Sequence, residues 1–250
     1  MRIKLALLIL LITLSPSIIA KQPVSTIYDQ ERERSIPFSL NLPIKKSNCT
    51  AKNQCPVAII NAGYGISHDK YQFISQQFNQ IGYLTIAVGH ELPTDPPLSV
   101  SGNLFETRSE NWQRGANTLK FIRKYFSESL PNYDFDNLTL IGHSNGGDIS
   151  AWLANEKVDY INTMITLDHR RVPLPRNKEI KVFSIRASDF PADTGVLYTE
   201  EESKELPVCV TTIENAKHND IHDDGPKWLK GKINLLITQF INQQDCKKVV

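Results

Sequence analysis

Short apolar runs alternate with segments of helical period along most of the 250-residue chain. Residues 56–60 form one such run and lead into Gly63-Tyr64-Gly65, the pattern of a buried strand leaving a sheet through a tight turn. Tyr71, Ile74, Phe78 and Ile81 then recur at three- and four-residue spacing, which predicts an amphipathic helix that Gly82 ends. Residues 83–88 read as the next strand. Pro93, Pro96 and Pro97 mark a loop, and Trp112, Gly115, Leu119, Ile122 and Phe126 share one face of a longer helix. Residues 138–142, 160–167, 180–185 and 208–213 predict further strands, with another helix after the first of them. Leu229, Ile233, Leu236 and Phe240 form the buried stripe of a final helix over about 226–243.

Strands alternating with helices predict an α/β fold: a mostly parallel central sheet with helices on both faces. The region before Cys49 differs. Residues 26–28 and 36–42 suggest an antiparallel N-terminal hairpin. No internal repeat or low-complexity tract divides the chain, so a single domain is expected from about residue 24 to residue 246.

Composition changes this picture at one end. Arg2 and Lys4 precede an apolar run broken only by Thr13, followed by Ser15, Pro16, Ser17 and Ala20. That is the layout of a secretory signal peptide over residues 1–20, too short to serve as a permanent membrane span. Its removal takes two of 28 basic residues and leaves 26 against 27 acidic ones, near neutrality. No basic stripe with interleaved aromatics is present, so a nucleic-acid partner and stable membrane insertion are not expected. In a secreted or periplasmic compartment four cysteines suggest two disulfides. Three pairings exist. Cys49 with Cys55 closes a short loop, and Cys209 with Cys246 joins the last strand to the end of the last helix, which must run back to the start of that strand. Neither spacing nor clustered histidines favours a metal site, and no cofactor is expected.

The strongest chemical signal is Gly142-His143-Ser144-Asn145-Gly146, placed between an apolar strand and a helix. Glycines two residues either side of a serine permit a sharp strand-to-helix turn. Such a turn lifts the hydroxyl above the sheet edge, with helix N–H groups beneath it for a developing oxyanion.

With this motif in this context, residues 56–222 resemble the α/β-hydrolase superfamily. Arg32-Glu33-Arg34-Ser35-Ile36-Pro37 and Leu42-Pro43 resemble, less specifically, the N-terminal hairpin of compact esterases in the dienelactone-hydrolase and polyester-hydrolase neighbourhood. The resemblance implies a nucleophile, acid, histidine order with Ser144 as nucleophile. Among the downstream histidines it favours His218, in a short loop after the last core strand, over His222; His169 comes too early. His143 reads as a packed or loop-bonding residue. For the acid, the family position after strand 180–185 favours Asp189, then Asp193. Asp168, at the end of the preceding strand, is the third candidate, since some lipases keep the acid there. The expected oxyanion hole comprises the N–H of Asn145 and that of Tyr64, in a loop similar to the family's H-G-x-G with Ala62 in the histidine position; Gly63 is the neighbouring alternative.

Remaining distinctive residues read more blandly. Trp112 is expected in the core, His90-Glu91 at the substrate rim or inert, and Arg108 with Glu106 as a solvated pair. Arg170, Arg171 and Arg176 are expected to face water or bind carbonyls, with anion recognition the alternative for Arg170. Only residues 169–179 separate two core strands where relatives insert a lid, so no cap domain is expected. An uncapped cleft suits short acyl esters or a polymeric ester chain. The expected activity is ester hydrolysis through an acyl-serine intermediate, with peptidase, amidase or acyltransferase chemistry and a non-catalytic binding protein as alternatives. The sequence leaves oligomeric state open.

Overall fold

The computed structural model describes residues 25–45 and 48–243; the expected signal peptide and Cys246 lie outside them. Among the described residues, eight strands form one sheet. β1 (Ser25–Asp29) and β2 (Arg34–Asn41) make the antiparallel hairpin, turned through Glu33 at φ 50°. β2 pairs antiparallel with β4 (Leu84–Val88), which pairs parallel with β3 (Cys55–Asn61). β5 (Tyr133–His143), β6 (Ile161–Leu167), β7 (Lys181–Arg186) and β8 (Val208–Thr212) follow in parallel, giving the order β1-β2-β4-β3-β5-β6-β7-β8.

Helices α1 (Gln72–Gln80), α2 (Leu104–Ser129), α3 (Asn145–Asn155) and α5 (Lys227–Gln243) cover the sheet, and a short α4 (Glu200–Glu205) precedes β8. The strand period of two divides the core between the faces. In β3, Val57 and Ile59 enter a cluster with Trp112 and Leu119 of α2 and Ile149 of α3. Ala58 and Ile60 point into the opposite cluster, with Ile74 and Phe78 of α1 and Leu229 and Ile233 of α5. Each fully buried isoleucine or leucine contributes about 1.5–3 kcal/mol. Every apolar stripe predicted on α2 and α5 is buried.

Two elements depart from expectation. β5 begins at Tyr133 rather than at residue 138, because Asp134, Asp136 and Asn137 hide a segment that pairs with the start of β3 and buries Tyr133 and Phe135. α4 carries no buried residue and so no periodic signal; a capping box between Thr199 and Glu202 starts it.

Cys49 and Cys55 form a disulfide just before β3, with Cα atoms 5.1 Å apart. Cys209, in β8, is also disulfide-bonded. Between β6 and β7 the chain makes turns without a helix, so no cap domain is inserted there.

Candidate active site

The carboxyl ends of the parallel strands gather the site. β5 runs into Ser144, which sits at φ 52° and ψ −123°, and α3 starts at the next residue. A backbone held this way stores roughly 1–3 kcal/mol of strain, which the surrounding packing must over-determine. The glycines make the turn feasible. A Cβ on Gly142 would lie 2.3 Å from the Gly146 carbonyl oxygen, and one on Gly146 would lie 2.2 Å from that of Asn61. Ser144 N–H donates to the Leu167 carbonyl at the end of β6, and its own carbonyl accepts from Gly147 and Asp148 N–H.

Ser144 Oγ lies 2.8 Å from His218 Nε2, and His218 Nδ1 lies 2.5 Å from Asp168 Oδ2. With an acceptor-only carboxylate at Nδ1, that nitrogen carries the proton, and Nε2 is free to accept from the serine hydroxyl. The acid on the imidazole is therefore Asp168, not Asp189. β6 is the strand beside β5, so the residue leaving its end emerges next to Ser144, whereas β7 is one strand further away. Asp168 adopts φ 51° and is fully buried. Burial alone would raise its carboxyl. The hydrogen bond from His218 and the nearby guanidiniums of Arg186 and Arg170 outweigh that and hold it at about 2. Arg186 Nη2 stands 2.8 Å from Oδ1, Arg170 Nη2 3.0 Å from Oδ2, and Ala187 N–H donates to Oδ1 at 3.1 Å.

Both other candidate aspartates have structural partners. Asp189 accepts the backbone N–H of His218 at 3.0 Å from each oxygen, so it fixes the histidine's main chain rather than its ring. Asp193 pairs with Arg171. A further carboxylate, which the sequence did not single out, supports the acid's loop. Asp148, in the first turn of α3, accepts from the N–H groups of Arg170, Arg171 and Val172. Its burial raises its carboxyl to about 6 against the pull of those donors.

Asn145 starts α3, which places its backbone N–H at the helix N-terminus beside Ser144. Its side chain is locked: Oδ1 accepts from Trp112 Nε1 at 2.8 Å, and Nδ2 donates to Asn111 Oδ1 at 2.9 Å. Trp112 is thus core, as expected, and also a hydrogen-bonding brace for the elbow. Its place on a helix's apolar face masked that second role. Across the elbow, Gly63 N–H donates to Tyr71 Oη at 3.0 Å, which commits the Gly63 N–H and leaves that of Tyr64 as the loop's donor candidate. Tyr64 Oη accepts from Leu98 N–H, joining this loop to the proline-rich segment.

His90 is buried, bonded to Asn61 Oδ1 at 3.0 Å, and with Glu91 lines a cavity beside Gly63 and Gly65, whereas Arg108 donates to the Ser99 carbonyl rather than pairing with Glu106. Arg176 binds the carbonyls of Leu174 and Leu197 and the Glu202 carboxylate; Arg170 bonds Asp168 and stacks over Phe190. Among the described residues, no group of three or more His, Cys, Asp or Glu is arranged to hold a metal ion. Nor is any helix among them long and apolar enough to cross a membrane.

No family model and no curated protein matches the sequence. Solved structures do match its shape. Esterase 2 from Thermogutta terrifontis superposes with a TM-score of 0.64 at 12% identity, covering 88% of this chain and 94% of that one. Dienelactone hydrolase from Anabaena variabilis ATCC 29413 gives 0.59 at 13%, covering 89% and 97%. Est1E from Butyrivibrio proteoclasticus gives 0.57 at 13%, covering 88% and 98%. The chain has the α/β-hydrolase fold, with the antiparallel hairpin at one sheet edge and, among the described residues, no cap.

Proposed function

We propose that this protein is an exported serine hydrolase that cleaves carboxylic esters through an acyl-enzyme on Ser144. The observation that carries the reading is the unbroken chain Ser144 Oγ, His218 Nε2, His218 Nδ1, Asp168 Oδ2 at 2.8 and 2.5 Å on a strained strand-to-helix turn. His218 takes the Ser144 proton as Oγ attacks the ester carbonyl, and Asp168 stabilises the resulting imidazolium. The oxyanion is met by the N–H groups of Asn145 and Tyr64. Breakdown expels the alcohol, which takes the proton back from His218. Water activated by the same imidazole then releases the acid and free Ser144.

Several neighbours in shape are named esterases, and an uncapped site suits small esters or a polymeric ester chain laid across it. Export is supported by the pattern of residues 1–20 and by the disulfides. The test is labelling with a fluorophosphonate together with turnover of short-chain esters. Ser144→Ala is expected to lose both while keeping the fold. Wild-type labelling of that variant, or amide turnover exceeding ester turnover, would overturn the reading.

A further inference from the structure

Between the two loops that serve Ser144 runs a buried hydrogen-bond chain that the catalytic chemistry itself does not use. Gly63 N–H donates to Tyr71 Oη at 3.0 Å, Tyr71 Oη lies 2.8 Å from His143 Nδ1, and His143 Nε2 lies 3.1 Å from the His218 carbonyl oxygen. One arrangement of protons satisfies every member. The His218 carbonyl can only accept, so His143 Nε2 carries the proton; Nδ1 then accepts from the Tyr71 hydroxyl, whose oxygen accepts from Gly63. Both side chains are 1% exposed. Burial, first, and the neighbouring His218 push His143 down to about 3, so it is neutral at neutral pH; burial likewise pushes the Tyr71 hydroxyl up, so it keeps its proton.

We propose that Tyr71 and His143 are positioning residues, which hold the Gly63–Tyr64 oxyanion loop and the His218 loop at a fixed separation across the elbow. The proposal rests on the serine-hydrolase reading above and assigns roles to two residues that touch no reacting atom. A satisfied core pair would need only each other. Here each end terminates on the backbone of a loop that carries a catalytic group. A second set of contacts closes the circuit. Asp223, five residues beyond His218, accepts from Gln72 N–H at 2.9 Å and Phe73 N–H at 3.0 Å, while its own N–H donates to the Lys70 carbonyl at 2.8 Å. The segment after His218 therefore grips the turn that presents Tyr71, and Tyr71 grips Gly63. Room for this is narrow: a Cβ on Gly63 would stand 2.9 Å from His143 Nδ1 and 3.3 Å from Tyr71 Oη.

Reacting groups misplaced by about 1 Å lose on the order of 100-fold in rate. Tyr71→Phe and His143→Leu are each expected to lower kcat for p-nitrophenyl butyrate by roughly 10–100-fold, with KM within about threefold of wild type. Fluorophosphonate labelling should slow in parallel, since it uses the same base and oxyanion donors. Because either change breaks one chain, the double variant should be within about threefold of the worse single one. His143→Gln, which keeps a donor toward the His218 carbonyl, should recover roughly tenfold over His143→Leu. If His143→Leu does not fold, Tyr71→Phe and His143→Gln decide the matter, with kcat reduced at a retained melting profile as the supporting result. Wild-type kcat in Tyr71→Phe, or losses that multiply in the double variant, would overturn the proposal while leaving the Ser144 reading in place. Failure of wild-type Ser144 to react with fluorophosphonate would overturn both.

Discussion

Exchanging the carboxylate of Asp168 for an amide tests which acid serves His218. In the wild type a fully buried carboxylate lies 2.5 Å from Nδ1 and stays ionised down to about pH 2, although burial opposes its charge. In the proposed mechanism this negative charge faces the imidazolium that forms when Nε2 takes the serine proton. Asp168→Asn removes that charge from the side of the forming imidazolium. It also lets the amide N–H face Nδ1, which favours the tautomer with its proton on Nε2, the wrong nitrogen for attack. The expected loss in kcat is on the order of 10²–10⁴, the range that base catalysis and tautomer control supply. Arg186, 5% exposed at the side chain, also loses its ion partner. Breaking a buried pair in this way destabilises by about 3–5 kcal/mol, so folding must be checked by circular dichroism at the assay temperature. Asp189→Asn keeps an oxygen for the His218 N–H and is expected to lose no more than about tenfold, a little over 1 kcal/mol. The assay is steady-state hydrolysis of p-nitrophenyl butyrate alongside fluorophosphonate labelling. A larger loss for Asp189→Asn than for a folded Asp168→Asn would refute the assignment.

Stability should fall steeply on mild acidification. Burial, aided by Arg34, His218 and Arg186 respectively, pushes His90, His143 and His169 from 6.5 down to about 3. Between those values the unfolded chain binds protons that the native one refuses, so stability is lost as pH falls from about 6.5 toward 3. Burial lowers His68 as well, so although Asp148, raised to about 6, works the other way over part of that window, four groups oppose one. Urea midpoints should drop between pH 7 and pH 4.5, and an unchanged midpoint would contradict the burial argument. Removing the Cys49–Cys55 bond with paired serines should lower stability by about 2 kcal/mol, the chain-entropy value for so short a loop, read from denaturant midpoints; no change would mean the loop is equally confined when unfolded. Trp112→Phe keeps most of the buried ring but strips Asn145 Oδ1 of its donor, so kcat should fall with KM nearly unchanged; a rise in KM alone would count against the brace.

Much of this protein is local and therefore readable along the chain. The elbow at Ser144 is written in glycines that only a close approach of backbones requires, and the strands and the stripes on α2 and α5 follow from periods of two and 3.6 residues. The parallel sheet follows from the order of strands and helices, whereas His218 is singled out by the family resemblance, and the structure brings its Nε2 to 2.8 Å from Ser144 Oγ. The acid follows from neither. Asp168, Asp189 and Asp193 all lie in loops at the same sheet edge, and nothing in their sequence neighbourhoods says which is beside the imidazole. That depends on β6 lying next to β5, on the positive φ that turns Asp168 inward, and on Arg186 and Arg170 arriving to keep it charged. The hydrogen-bonding roles of Tyr71, Asp148 and Asn111 escaped for the same reason, and of His143 only the general reading as a packed or loop-bonding residue was legible. Each is an ordinary residue of a helix, strand or turn until residues dozens of positions away supply its hydrogen-bond partner. Hydrophobic periodicity is a property of neighbours along the chain, whereas the pairing of buried polar groups is decided only when the sheet order brings distant loops together.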